Sequence, residues 1–177
     1  MTHVRAATVS DAAAVARIRI SSWRGAYRGL LADSVLDAMD EAADTERWLA
    51  RLAEHGDTHT LVSAADGSLT GFCAYGPDRD DDGESRAEIY AVYVLPHRWG
   101  LGDGSALLAV AAADLEARGV TEVRLWALVG NDRADTFYRR RGFAPDGAER
   151  VLDGLPTVHG EDALEVRYRC PVGRARR

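Results

Sequence analysis

Three glycines within five residues, in Trp99-Gly100-Leu101-Gly102-Asp103-Gly104-Ser105, make this the segment of the chain best suited to hold an anion. Glycine lets backbone N–H groups approach a ligand closely. The amphipathic stretch from Ser105 reads as a helix whose free N-terminal amides and dipole favour negative charge. A diphosphate fits such a turn. Taken alone, the same residues serve equally well as a tight connection from strand to helix. The spacing Gly-x-Gly-x-Gly departs from the Gly-x-Gly-x-x-Gly of dinucleotide-binding turns and so disfavours a Rossmann reading.

Other chemistry is narrowed by what the chain lacks. All 22 basic residues are arginine. Without lysine there is no phosphate-gripping lysine of a P-loop and no Schiff-base lysine of a pyridoxal enzyme. Asp78-Arg79-Asp80-Asp81-Asp82-Gly83 imitates the opening of a calcium-binding EF-hand loop, but its twelfth position is Ile89 and its flanks read as strands. A solvated hairpin loop is expected there, and no metal. His97 beside the glycine turn reads as a surface residue, and His3, His55, His59 and His159 form no ligand pattern. Cys73 and Cys170 have no metal-ligand spacing and read as free thiols.

The formal charge of −6 argues against a nucleic-acid partner and suits a cationic amine. The first residues do not form a secretory signal, and the longest uncharged apolar stretch, Ala106 to Ala113, is far too short to cross a bilayer. A cytoplasmic protein without membrane partners is expected.

Behind the turn stand the elements that must position it. A strand at Val4 to Ala6 leads to Ser10-Asp11, either of which can cap a helix through Val15, Ile18 and Trp23 that ends near Gly25. Asp33 can cap a short second helix, and Thr45 to Glu54 reads as a third. From Thr60 the period changes to two: a strand, the turn Asp66-Gly67, and a strand from Leu69 to Tyr75 form a hairpin. Ala87 to Val94 alternates β-branched and aromatic residues as a central strand does, and Pro96 stops it. After the turn come a helix from about Ser105 to Arg118, a strand Glu122 to Leu128, and a helix around Arg133 to Arg141. Strands near Ala148 to Leu152 and Leu164 to Arg169 complete one mixed α/β domain over 3–170, with residues 171–177 expected as a frayed tail.

The helix after the last central strand reads Asn131-Asp-Arg-Ala134-Asp-Thr-Phe137-Tyr138-Arg-Arg-Arg-Gly142-Phe143. Together with the central strand and glycine turn, it makes the chain resemble the GNAT acetyltransferase superfamily, most closely from Glu88 to Phe143. The helical front end, Trp23-Arg24-Gly25-Ala26-Tyr27-Arg28-Gly29-Leu30-Leu31, is similar to that of many actinobacterial members. The resemblance implies a central mixed sheet of six to seven strands flanked by helices, and acetyl-coenzyme A as cosubstrate. It implies that Trp99, Gly100, Leu101, Gly102, Asp103, Gly104 and Ser105 hold the diphosphate, and that Val92 and Val94 pair with the pantetheine arm through their backbones. Asn131 would contact that arm. Tyr138 would protonate the departing thiolate, a task a phenol suits; the alternative for Tyr138 is a core aromatic.

Transfer to an amine also needs a base. The resemblance points to Glu88, on the strand before the turn, working through water; the alternative is an exposed strand glutamate. Tyr90 and Tyr93 would hold such a water or line the acceptor pocket, with Trp23 and Tyr27 as its far wall, or all four would pack as core. The triple arginine Arg139 to Arg141 reads as a solvated helix end. Asp103 departs from the family pattern, which places an apolar residue there. At ~4 Å in an intermediate dielectric its carboxylate would repel a phosphate by up to ~4 kcal/mol, and turned inward it would pay desolvation instead, either of which weakens coenzyme binding; it is expected to face solvent or to cap the helix. The acceptor, a small amine or the amine of a peptide or protein, is not written in the sequence, and a homodimer is expected from the resemblance alone. A non-catalytic acyl-coenzyme A-binding module is the alternative to an enzyme.

Overall fold

The computed structural model describes residues 2–54, 56–80 and 85–175. His55 and residues 81–84 of the EF-hand-like loop lie outside the described residues. Seven strands form one sheet: β1 (His3–Ala6), β2 (His59–Ala65), β3 (Ser68–Pro77), β4 (Arg86–Val94), β5 (Glu122–Leu128), β6 (Ala144–Pro156) and β7 (Asp162–Pro171). Their order is β1-β2-β3-β4-β5-β7-β6. Every neighbouring pair is antiparallel except β4 and β5, which run parallel. This is the mixed sheet that the resemblance implies.

Helices cover both faces. α1 (Ala12–Tyr27), α2 (Asp33–Asp37) and α3 (Glu41–Ala53) lie on one side, where Val15, Ile18 and Trp48 pack against Val62, Phe72 and Ala74 of the sheet. α4 (Asp103–Ala117) and α5 (Asp132–Arg139) lie on the other. In α4 the buried residues Leu107, Leu108, Ala111, Ala112 and Leu115 recur at helical spacing, so one stripe meets Cys73, Ile89, Val123 and Leu125. α3 starts four residues earlier than the apolar pattern indicated, because the Asp40 side chain accepts the Ala43 amide at 2.7 Å and caps the helix there.

Two expectations are corrected. The chain beyond Pro171 forms a last helical turn, α6 (Val172–Ala175), whose Val172 and Ala175 are buried against the core shared with α4; burial of these small apolar groups overrides the basic composition that suggested fraying. The acidic loop is not simply solvated: Asp78 is buried and accepts from Arg124 of β5 at 3.0 Å, while Asp80 accepts from the Trp126 indole at 3.2 Å. At the ends of these interior strands the carboxylates find Arg124, Trp126 and Arg167 as partners.

Candidate active site

The sheet forks at its centre. β4 and β5 pair only from Arg86↔Glu122 to Ile89↔Leu125, after which β4 continues to Val94 paired with β3 alone. The cause is a bulge. Across β3 the register passes from Ala74↔Ala91 to Tyr75↔Ile89, so Tyr90 is the extra residue and β4 bends away from β5. Beyond the bulge the Leu95 amide donates to Thr70 at 2.8 Å, so alternation turns the polar groups of Leu95 and Tyr93 toward β3 and those of Val92 and Val94 into the fork. The Val94 carbonyl is already taken, by the Ser22 hydroxyl at 2.9 Å and the Trp99 indole at 2.7 Å. The Val94 amide and both groups of Val92 remain to pair with an extended ligand.

The glycine turn closes the end of the fork. Gly100 and Gly102 have φ of 80° and 100°, and an added Cβ at either would meet nothing within 4 Å, so the space above them is open. Gly104 is small for a different reason: its Cβ would press on the Phe137 ring of α5 at 3.1 Å. The first helical bond of α4 runs from the Ala106 amide to the Gly102 carbonyl, leaving the amides of Asp103, Gly104 and Ser105 without a helical acceptor. Trp99 pins the turn to β4 through its indole, and Arg133 stacks on its outer face with the guanidinium carbon 4.3 Å from the ring centre. Leu101 is exposed on the turn.

Asp103 neither faces solvent nor caps the helix. It is the first helical residue, 1% exposed, and its carboxylate turns inward to the Thr70 hydroxyl at 2.5 Å and to Arg98 at 3.0 Å. The charge is thereby neutralised on the side away from the open turn. Arg141 also departs from expectation. Arg139 and Arg140 are exposed, but Arg141 turns back to the Ser105 hydroxyl and lies over Phe137 at 3.8 Å. Among the described residues no carboxylate pairs with Arg133 or Arg141, so two cations without anionic partners flank the turn. The sequence signal for Arg141 was its spacing from Phe137, one helical turn, hidden inside a run of three identical residues.

α5 brings Asn131 and Tyr138 to the fork. Asn131 caps the helix, its side-chain oxygen accepting the Ala134 amide at 3.2 Å, which leaves the side-chain NH2 to donate elsewhere. Tyr138 packs among Phe137, Phe143 and Tyr168, with ring centres 5.3, 5.8 and 6.1 Å away. Burial pushes its phenol far above the usual range, with the neighbouring Tyr93 and Cys73 adding to the rise, so the group stays protonated. No hydrogen bond to its hydroxyl forms among the described residues.

On the opposite face Trp23 and Tyr27 meet edge to face at 5.1 Å. Of the two tyrosines of β4, Tyr93 lies beside them, 6.5 Å from Trp23, and Tyr90 does not. The bulge sends Tyr90 toward α3 and the β3–β4 connection, where its hydroxyl donates to the Pro77 carbonyl at 2.6 Å and its ring lies under Arg79 and Arg51. Glu88 is on this face too, but 1% exposed instead of open to solvent. Arg79 occupies both its oxygens: Nε donates to Oε2 at 2.9 Å, Nη2 to Oε1, and the Arg79 amide to Oε2 at 3.3 Å.

Comparison with known proteins places this arrangement. The sequence profile of the Acetyltransferase (GNAT) family matches residues 19–143. The uncharacterised N-acetyltransferase YuaI of Bacillus subtilis is 29% identical over 173 residues, covering 97% of this chain and 94% of that protein. A spermidine N(1)-acetyltransferase of Thermoplasma acidophilum is 23% identical over 85% of this chain and 95% of its own length. The fold is shared with the YncA acetyltransferase of Salmonella typhimurium, solved with its cofactor acetyl-CoA, at a TM-score of 0.71 and 21% identity over 97% of this chain and 94% of that one. With a profile match over well more than half of its length, the chain belongs to the acetyltransferase (GNAT) family and is an acyltransferase.

Proposed function

We propose that the protein transfers the acetyl group of acetyl-coenzyme A to a primary amine, of a small molecule or of a peptide or protein, within one complex that holds both substrates. The observation that carries this reading is the fork. It offers the Val92 and Val94 backbone groups to the pantetheine arm and ends at a turn whose free amides, with Arg133 and Arg141 beside them, suit a diphosphate. The Asn131 NH2 adds a donor to the arm. Trp99 supports the turn from below, and the amide near Val94 polarises the thioester carbonyl.

Tyr138 supplies the proton to the sulfur. The dry surroundings that hold its phenol protonated also make the departing thiolate more basic, so the transfer is matched. The amine comes from the face of Trp23, Tyr27 and Tyr93, where a carboxylate must accept its proton. Glu88 serves in that role only when Arg79 releases one of its oxygens. Tyr138→Phe should lower kcat by ~10²-fold or more while the Kd for acetyl-coenzyme A, measured by calorimetry, stays unchanged. Full activity of that variant at every pH would remove Tyr138 from the reaction.

A further inference from the structure

We infer that Glu165 of β7 receives the ammonium of the acceptor and takes its proton; this rests on the acetyl-transfer reading above. Three observations converge on it. The first is place. Glu165 is opposite Leu128 at the end of β5, where the fork is open, whereas Glu88 is opposite Arg124 in the closed neck. Val166, Tyr168 and Cys170 face the α4 side, so alternation turns Glu165 to the other face, the one that carries Trp23 and Tyr27.

The second is occupancy. Arg150 donates to Glu165 Oε2 through Nε at 2.8 Å, and its Nη2 lies 2.7 Å from the same oxygen. Among the described residues no donor meets Oε1. At 17% side-chain exposure, that oxygen is held in a fixed direction by its partner and left with free lone pairs. Glu88 has no such oxygen.

The third is company. Leu128, the residue opposite Glu165, packs in the same cluster as Trp23 and Tyr27 of α1, and the carboxylate's charge adds to the rise that burial gives the phenols of Tyr27, Tyr93 and Tyr138. The Trp23 indole N–H is buried beside Tyr93. Next along β7, a cavity of about 230 Å³ opens between Leu30, Leu128, Val158 and Leu164, with Glu161 and Asp162 on its lining. It gives room for the rest of an acceptor and an anionic approach for a cationic one.

In the step, the ammonium gives one proton to Glu165 Oε1, and the freed lone pair attacks the thioester carbon. The carbon–sulfur bond then breaks, the thiolate takes the Tyr138 proton, and the tyrosinate recovers a proton from the new amide nitrogen. Glu165 returns its proton to solvent. The products are the amide, the free thiol and one proton.

The test uses thiol release with spermidine, benzylamine and a short peptide with a free α-amino group, beside calorimetric titration of acetyl-coenzyme A. Glu165→Gln should lower kcat/KM for the best of these acceptors by ~100-fold, with the acetyl-coenzyme A Kd unchanged within about twofold. Arg150→Gln breaks the same ion pair but leaves the carboxylate in place, so it should lose at least about tenfold less than Glu165→Gln. Equal losses in the two variants would show that the ion pair, not the carboxylate, matters, and would overturn the proposal. So would near-normal Glu165→Gln activity alongside a ~100-fold loss in Glu88→Gln, or wild-type protein that turns over none of the three amines. Failure of wild-type protein to bind acetyl-coenzyme A would instead sink the acetyl-transfer reading itself.

Discussion

Asp103 shows how far one side chain's direction can change a reading. As a sequence letter it threatened the diphosphate; in the fold its carboxylate is a buried strut between Thr70 at the start of β3 and Arg98 before the turn. Arg98 is itself largely buried, so removing the carboxylate strands a guanidinium. Asp103→Leu, the aliphatic that the family pattern would favour, should therefore cost about 3 kcal/mol of stability, read from a urea or guanidinium midpoint, without tightening acetyl-coenzyme A binding. Residue identity was legible here and residue direction was not, because Thr70 sits on another strand and no local spacing announces the contact. Glu165 was missed for a related reason: as the one glutamate of an alternating strand, it acquires meaning only through what β5 and α1 place beside it.

At the scale of elements, the strand, glycine turn and helix were the most legible part. β5 has the bounds that its alternation indicated, and the turn separates β4 from α4 as its composition demanded. The bulge in β4 was not legible. It is a property of register between two strands, and a run of apolar and aromatic residues carries no mark of which one is extra. That single insertion turns Tyr90 toward Pro77 and Arg79, leaves Tyr93 beside Trp23, and opens the fork. The turn itself can be tested through backbone conformation alone. Gly102→Ala must hold a φ of 100°, which a side chain resists by about 1–2 kcal/mol, although the site has space for a methyl group. If the turn's amides grip the coenzyme, calorimetry should show acetyl-coenzyme A bound ~10-fold more weakly, with a smaller change in melting temperature than Asp103→Leu produces.

For the molecule as a whole, the family and layered architecture were readable because they depend on the order of elements, and the acceptor was not because it depends on how distant elements meet. Among the described residues no helix is long and apolar enough to cross a membrane. Whole-chain stability should carry a signature of the first turn, where Arg5 and the Thr8 amide and hydroxyl hold the Asp11 carboxyl down to about 2 from its usual 3.8. A carboxylate held low stabilises the fold at pH above its unfolded value and loses that contribution as pH falls toward 2. The partly exposed Arg5 limits the effect to about 1 kcal/mol. In acid titrations followed by circular dichroism, Asp11→Asn should flatten the stability curve between about pH 4 and 2 and leave its shape above pH 5 unchanged.

The neck between β4 and β5 has a mechanical consequence. Among the described residues, four register pairs and the bonds from the Thr121 and Glu122 amides to the Ser85 carbonyl stitch the leaf β1–β4 to the leaf β5–β7, a short seam for two central strands. A tenant lying along Val92 and Val94 would act as a surrogate strand and lengthen the stitching. By mass action, occupancy would then tighten both leaves at once, so the loaded protein would resist opening across its full width, far from the atoms that react.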